Sequence, residues 1–466
     1  MLLDAASKIL SSILSERLQD LLREEGLEEQ CGFTVKRGCS DGSFILRMAL
    51  QKRHEHNQDS WAVFVDLVKA FDTVDRDGMV AVLKKLGVSN HFCEIITRLH
   101  TGCQVKLKVG DSDIQFDSTI GVKQGDNLAP ILFLVVMQAV IETLEPIWPA
   151  EKLDFRTKEH GCCQGQNWTT KGRIFKFWAS LYADDTAIVF RSRAELEMCM
   201  PVLDAHLKRF GMLMHVKSAG GKKEAKTECM FFPRPGLAYE SGDTSPVLVN
   251  DKGDTISFCK SFKYLGSRIH WDLCDDDDVL SRLKAATGAF GSLRDSVFNS
   301  KFIRPYTKKI VYLTIVVNLL LYGSESWCLT EKLLHRLNCF HNRCIRSMCR
   351  VTKRQTWLHK IDSDTLRRRL KLEKMEYYIS LRKLRWAGHL ARMPMTRLPR
   401  QFLTSWVNHP RPHGRPQYTY GHSLNKSLKR AGIPSAFKEW SQLAQDRSNW
   451  RKLFYAKAEF PPSRQS

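Results

Sequence analysis

Two adjacent aspartates interrupt one of the most apolar stretches of the chain. In "FWASLYADDTAIVF" (residues 177–190), Asp184 and Asp185 separate two runs rich in aromatic and apolar residues. Runs of this kind read as buried strands, and the acids between them as a tight hairpin. A second apolar run, "WAVFVDL" (61–67), ends in Asp66 and Leu67. A fold that buries both runs brings an acid to a sheet rim at the end of each. If the two strands are neighbours, Asp66 and Asp184 meet at one edge. Carboxylates that close repel one another unless a cation lies between them. Oxygen-only ligands suit Mg2+ or Mn2+ rather than zinc. A pair of such ions can activate a 3′-hydroxyl and stabilise a leaving pyrophosphate. For any single aspartate, a turn or a helix cap is the commoner use. The inference rests on the three together.

The remaining pattern is mixed. Leu10, Leu14, Leu18 and Leu21 predict one face of an opening helix that stops at Gly26, with no cap ahead of it. Asp75 is placed to cap a helix ending at Gly87, and "VKLKVGDSDIQFDSTIGV" alternates like strands about a turn at Gly110 and Asp111. "GVKQGDN" reads as a loop, and Pro130 suits the first turn of the apolar helix after it. "ELEMCMPVLDAHLKRFG" predicts a helix and "TECMFF" a short strand, with the loop "AGGKKEAK" between them. Helices and strands without a regular βαβ alternation argue for an α+β fold. From about residue 275 the pattern is almost wholly helical, broken by "RPHGRPQYTYG" and closed by helices carrying Trp440 and Trp450.

At 466 residues the chain is long for one domain; at ~150 residues each, two or three are expected. The net charge of +22 favours a polyanionic partner, with nucleic acid ahead of a membrane. Residues 341–400 hold 17 Lys and Arg against 4 Asp and Glu, a density suited to phosphate backbones, though a solvated helix face is the plainer alternative. The apolar runs at 128–141 and 310–322 fall short of a bilayer span and read as buried helices, so no membrane partner is expected. No signal peptide opens the sequence, and its 14 cysteines follow no repeating frame. The expectation is a reduced intracellular protein of nucleus or cytoplasm, not a secreted one.

The motifs in order resemble the reverse transcriptase of non-LTR retrotransposons (LINE-type elements). "FVDLVKAFDTVDRD" resembles motif A, "GVKQGDNLAPILF" motif B, "LYADD" motif C, "AKTECMFF" motif D and "FKYLGSRI" the primer grip. "LYGSESWCLT" and "LRWAGHLARMP" resemble segments that follow the polymerase core. The resemblance implies a right-hand polymerase palm with partial fingers over residues 1–272, a helical thumb over 273–350 and a basic helical C-terminal region over 351–466. It implies RNA-directed DNA synthesis, with an RNA template, a DNA primer and deoxynucleoside triphosphates as partners. Oligomeric state stays open. Asp66 and Asp184 would be metal ligands, with Asp185 the second acid of the pair and the Leu67 carbonyl a further contact. Phe71 matches the aromatic gate that leaves no room for a 2′-hydroxyl. Gln124 and Gly125 match the loop at the incoming nucleotide, and Lys226 matches a proton donor to pyrophosphate. Tyr264, Leu265 and Gly266 match the primer grip.

Asp126, Asn127 and Ala129 depart from the family's usual residues after "QG". The resemblance also implies a fingers segment with an Arg-Pro signature, whose arginine binds the triphosphate, and an N-terminal endonuclease. Neither is in this sequence, which reads as a truncated copy. Two alternatives stand beside the polymerase: an inactive relic that only binds nucleic acid, and a maturase-like RNA-binding protein. Other clusters have plainer readings. Asp275 to Asp278 suit a helix start. His160 with Cys162 and Cys163 lacks zinc spacing, as does the set of His335, Cys339, His341, Cys344 and Cys349. Trp357, Tyr377, Tyr378 and Trp386 are candidates for base stacking, but packing between helices is the commoner use.

Overall fold

The structure, a computed structural model, describes residues 4–161, 171–218, 225–411 and 419–455. It opens with α1 (Ala5–Glu25), which Asp4 caps by accepting from the Ser7 N–H, so the helix does have a cap. Its buried face is Ser11, Leu14, Ser15, Leu18 and Leu22, while Leu10 is 41% exposed. The stripe is rotated from the expected one because two small serines sit on the packed side. After α2 (Cys39–Glu55) comes β1 (Ser60–Val65), buried at every residue, as a continuous apolar run requires. Then follow α3 (Arg76–Lys85), capped by Asp75, and α4 (Asn90–His100). A hairpin of β2 (Gln104–Val109) and β3 (Ser112–Asp117) leads to α5 (Ala129–Leu144), with Pro130 in its first turn. With the short turn that continues it, α5 runs 19 residues, longer than the expected stretch and enough to span a bilayer by length alone. Most of its side chains are buried inside the protein.

Next along the chain come β4 (Leu153–Thr157), β5 (Arg173–Phe177), β6 (Ala179–Tyr182), β7 (Asp185–Phe190), α6 (Arg193–Arg209), β8 (Glu228–Phe232), β9 (Val247–Leu248) and β10 (Thr255–Phe258). A six-stranded sheet forms in the order β6-β7-β1-β8-β10-β9. Strand β1 pairs antiparallel with β7 on one side and β8 on the other. The two runs that carry the acids are therefore neighbours, as the palm expectation requires.

The chain packs as two units, each assembled from separated stretches of sequence. One comprises residues 1–46, 58–153 and 176–260; the other comprises 47–57, 154–175 and 261–466. The second unit begins its long C-terminal part with a hairpin, β11 (Ser261–Tyr264) and β12 (Ser267–His270). It continues through α7 (Asp276–Ser292), α8 (Pro305–Val311), a wider π-type turn at Tyr312–Val317, α9 (Asn318–Leu320) and α10 (Glu331–Met348). The rest is α11 (Lys353–Leu358), α12 (Ser363–Leu370), α13 (Met375–Ala391), α14 (Leu398–Leu403), β13 (Ser405–Trp406), α15 (Tyr420–Arg430), α16 (Phe437–Leu443) and α17 (Arg447–Tyr455). Its core gathers Phe290, Phe298, Tyr312, Trp327, Leu337 and Met375.

The four acids at 275–278 do open α7, but the outer two do more than suit its dipole. Asp275 is buried and pairs with Arg47. Asp278, also buried, accepts from the Trp327 indole N–H at 2.8 Å and from the Arg268 N–H at 3.0 Å. On α10, His341 bonds the Tyr312 hydroxyl at 2.8 Å and the Glu373 carbonyl at 2.9 Å. Burial pushes this imidazole down to about 4, so it is a neutral packing residue and not part of a zinc set. Cys339 is exposed and Cys344 buried, and none of the described cysteines forms a disulfide. Cys162 and Cys163 lie outside the described residues.

Candidate active site

The register of the central strands assembles the acids. Val65 pairs with Thr186 across β1 and β7, so one step further Asp66 comes opposite Asp185. Asp184 occupies the two-residue turn between Tyr182 and Asp185. The electrostatics reflect this crowding. Burial, with Asp66's charge as a lesser cause, holds the Asp184 carboxyl above the ordinary range, against a lowering hydrogen bond from its own backbone. Burial, then the charges of Asp184 and Asp66, push Asp185 up to about 6, although its side chain still reaches solvent. The Lys226 ammonium lies 3.8 Å from the Asp66 carboxylate, both partly exposed.

Among the described residues, no three His, Cys, Asp or Glu side chains are gathered closely enough to hold an ion as they stand. The donors are all carboxylate oxygens, each close enough to be felt by the next, and they remain open to solvent. That chemistry fits a hard divalent cation.

The backbone around Asp66 is pinned on the β8 side. The Thr227 hydroxyl bonds its N–H at 3.1 Å and the His215 N–H bonds its carbonyl at 2.8 Å. Leu67 forms an isolated bridge with Met214. The turn at 183 is held by a residue that the motif reading passed over. The Gln30 side-chain oxygen accepts from the Ala183 N–H at 3.0 Å and from the Gly32 N–H at 2.9 Å. Ala183 is left-handed (φ 54°), a conformation that disfavours a β-carbon, so this acceptor offsets local strain. Gly32 comes so near that a β-carbon there would meet the Ala183 nitrogen at 2.6 Å. Arg37 in turn donates to the carbonyls of Leu27, Glu28 and Gln30, fixing the segment that carries the glutamine. Replacing Gln30 with Ala strands two buried N–H groups and is expected to cost about 2 kcal/mol. Urea unfolding measures this, and an unchanged midpoint would contradict the latch.

The expected nucleotide residues form one stitched surface. The Val122 N–H bonds the Phe71 carbonyl at 2.9 Å, and the Gln124 amide donates to Asp72 at 2.9 Å. Phe71 is half-buried and stacks on Phe133 at 4.4 Å, which fixes its ring plane. Gly125 is left-handed (φ 86°), which a larger residue would resist. Asp126 is buried and accepts from the Leu128 N–H at 3.2 Å, so this departure from the family pattern closes a local turn just ahead of α5, which itself has no side-chain cap.

Tyr264, Leu265 and Gly266 lie in the second unit, at the turn between β11 and β12. Leu265 and Gly266 are both left-handed (φ 46° and 81°). The Tyr322 hydroxyl donates to the Leu265 carbonyl at 3.1 Å, and Arg282 donates to the Gly266 carbonyl while its guanidinium lies over the Tyr322 ring. Arg282 and Tyr322 are the supports that sequence reading missed. The "LYGSESWCLT" resemblance pointed to the segment but not to this contact.

With this geometry in place, comparison with known proteins is direct. The family model described as reverse transcriptase (RNA-dependent DNA polymerase) matches residues 1–269. The Pol polyprotein of the type-2 retrotransposable element R2DM from Drosophila melanogaster is 27% identical over 262 residues, 55% of this chain and 22% of its own length. The probable RNA-directed DNA polymerase from transposon BS, also from Drosophila melanogaster, is 22% identical over 84% of this chain and 40% of its own length. The chain thus spans less than half of either relative. Among solved structures, apo telomerase from Candida tropicalis aligns over 86% of this chain and 62% of its own at 11% identity, with a TM-score of 0.40. The ordered motifs, the sheet that joins them and the family match over more than half of its length agree: the chain belongs to the reverse transcriptase family, in its non-LTR retrotransposon branch.

Proposed function

We propose that this chain extends a DNA primer on an RNA template with deoxynucleoside triphosphates. The observation that carries the reading is the meeting of Asp66, Asp184 and Asp185 at one sheet edge, each raised or flanked by its neighbours' charge. Reverse transcriptases as a family use a divalent metal. Here Asp66, Asp184 and Asp185 would hold Mg2+ or Mn2+, which when bound lowers the pKa of a primer hydroxyl and balances charge on the phosphates. Lys226, beside Asp66, is placed to give a proton to the departing pyrophosphate. Phe71, its ring fixed by Phe133, sets the floor beneath the sugar. The turn at Leu265 and Gly266 supports the primer strand, with residues 273–350 acting as the thumb. An intracellular site of action, nucleus or cytoplasm, goes with the reading.

The test is extension of a DNA primer on an RNA template by the purified chain in Mg2+. Salt-sensitive RNA binding with no extension under any divalent metal would instead identify an inactive relic. Phe71→Val removes the ring while keeping an apolar contact. We expect ribonucleotide incorporation to rise by roughly tenfold or more, since a packed ring excluding one hydroxyl contributes about 1–3 kcal/mol of discrimination. Unchanged sugar preference would remove Phe71 from the site.

A further inference from the structure

The second unit holds a cleft of about 790 Å3 that none of the polymerase motifs uses. One wall is α8 and the π-type turn after it, with Tyr306 and Lys309; the facing wall is α13, with Tyr377, Arg382 and Arg385. Its volume lies in the range of sites that enclose a small organic group. The floor is apolar, from Leu313, Val317 and Leu381. Tyr306 is 57% exposed at the mouth, whereas Trp386 is buried and Tyr378 spends its hydroxyl on the Glu373 N–H at 3.0 Å. Of the four aromatics expected to pack between helices, those two do so, Tyr377 stays half-open and Trp357 is 80% exposed.

The rim is cationic. Lys309, Lys371, Arg382 and Arg385 line the cleft against Glu325 and Glu373. Glu325 faces Arg382, and Glu373 faces Lys309. Beyond them the positive charges stand against one another. Burial, then the charge of Arg451, lowers the proton affinity of Arg385, and Arg447 and Arg451 act likewise on Arg392. Arg385 also lies over the Tyr455 ring at 5.3 Å. Arg385 is exposed at the rim, and Arg382 donates to Asn318 at 2.6 Å, so the cations border the cleft where an anion can reach them.

We propose that this cleft takes an unpaired base of a single-stranded nucleic acid, stacked between Tyr306 and Tyr377, with the flanking phosphates on Arg382, Arg385 and Lys309. A partly apolar cleft with two tyrosines on its walls and cations at its rim matches a base with its backbone better than it matches a peptide or a duplex. The inference shares only its class of partner with the polymerase reading, and it needs neither the acids nor a metal.

The test is fluorescence anisotropy of the full chain carrying Asp184→Asn, in chelator, with a labelled single-stranded oligomer. RNA and DNA versions of one sequence show which strand the site prefers. An abasic strand of equal charge and a blunt duplex serve as comparators. The abasic strand is expected to bind roughly tenfold more weakly, and Tyr306→Ala to weaken the natural strand by a similar factor. Arg385→Gln should reduce the slope of log affinity against log salt by about 1. Tyr377→Phe keeps the ring and should bind normally, which separates stacking from folding. Equal binding of abasic and natural strands, with no loss in Tyr306→Ala, would overturn the proposal. So would a duplex that binds as well as the single strand. Failure of primer extension by the native chain would leave this result untouched.

Discussion

Asp184→Asn should reduce primer extension by roughly a thousandfold or more, the scale seen when a group acting on developing charge is removed. The same change should not destabilise the metal-free protein. It deletes a charge that pushes the Asp185 carboxyl up, and a carboxylate that burial itself disfavours, so the thermal midpoint without metal should hold or rise. That opposition of sign separates loss of chemistry from loss of fold. A melted variant would void the activity result, and a folded variant with native activity would sink the assignment. The pH profile carries a matching signature. Asp185 has its folded value raised to about 6, so below that pH it is largely protonated and a poor cation ligand. Metal-dependent extension should therefore climb as pH rises through about 6. In the metal-free chain the sign is reversed for stability. A carboxyl raised on folding contributes stability that is present below its unfolded value and is lost as pH rises through its folded one. Added Mg2+ should flatten that loss.

Asp278→Ala is expected to destabilise the second unit by about 3–5 kcal/mol, the range for removing one partner from a buried charged network. Its carboxylate accepts from Trp327 and from the Arg268 backbone, and no solvent can replace it there. Loss of the carboxylate leaves an indole N–H buried without an acceptor, at the junction of α7 with the segment before α10. Urea unfolding followed by tryptophan fluorescence reads the change. Asp277→Ala, one position earlier and partly exposed, should cost under about 1 kcal/mol because it loses only a dipole contact. Equal effects would show that all the acids at 275–278 serve the helix end alone.

These examples mark how far the sequence reaches. Asp66, Asp184 and Asp185 were legible because their chemistry is written locally, as an acid at the end of each apolar run. Strand adjacency was only a condition in the sequence, since two buried runs can each be covered by other partners; the β1–β7 pairing meets it. Gln30 was not legible: one of its two acceptor contacts crosses from a loop to a turn 153 positions away, and a glutamine in a loop carries no local signal. Arg282 and Tyr322 escaped for the same reason. The face of α1 was misjudged because leucines at 10, 14, 18, 21 and 22 allow two stripes, and only packing on Ser11 and Ser15 decides between them. Asp126 looked like an anomaly near a nucleotide loop and closes a turn ahead of α5.

The way the chain alternates between its two units has a consequence for how it must be made. Residues 47–57 and 154–175 belong with material that leaves the ribosome long afterwards. Arg47 waits for Asp275, 228 positions on, and Thr157 waits for Thr404, 247 positions on. At translation speeds of about 5–20 residues per second, those partners arrive some tens of seconds later. During that interval Phe155 and its neighbours have no Phe402 to cover them. A nascent chain of this design leaves such apolar residues uncovered for longer than a chain of sequential domains does. Messages cut short after residue 260 should yield aggregates rather than a free-standing catalytic half.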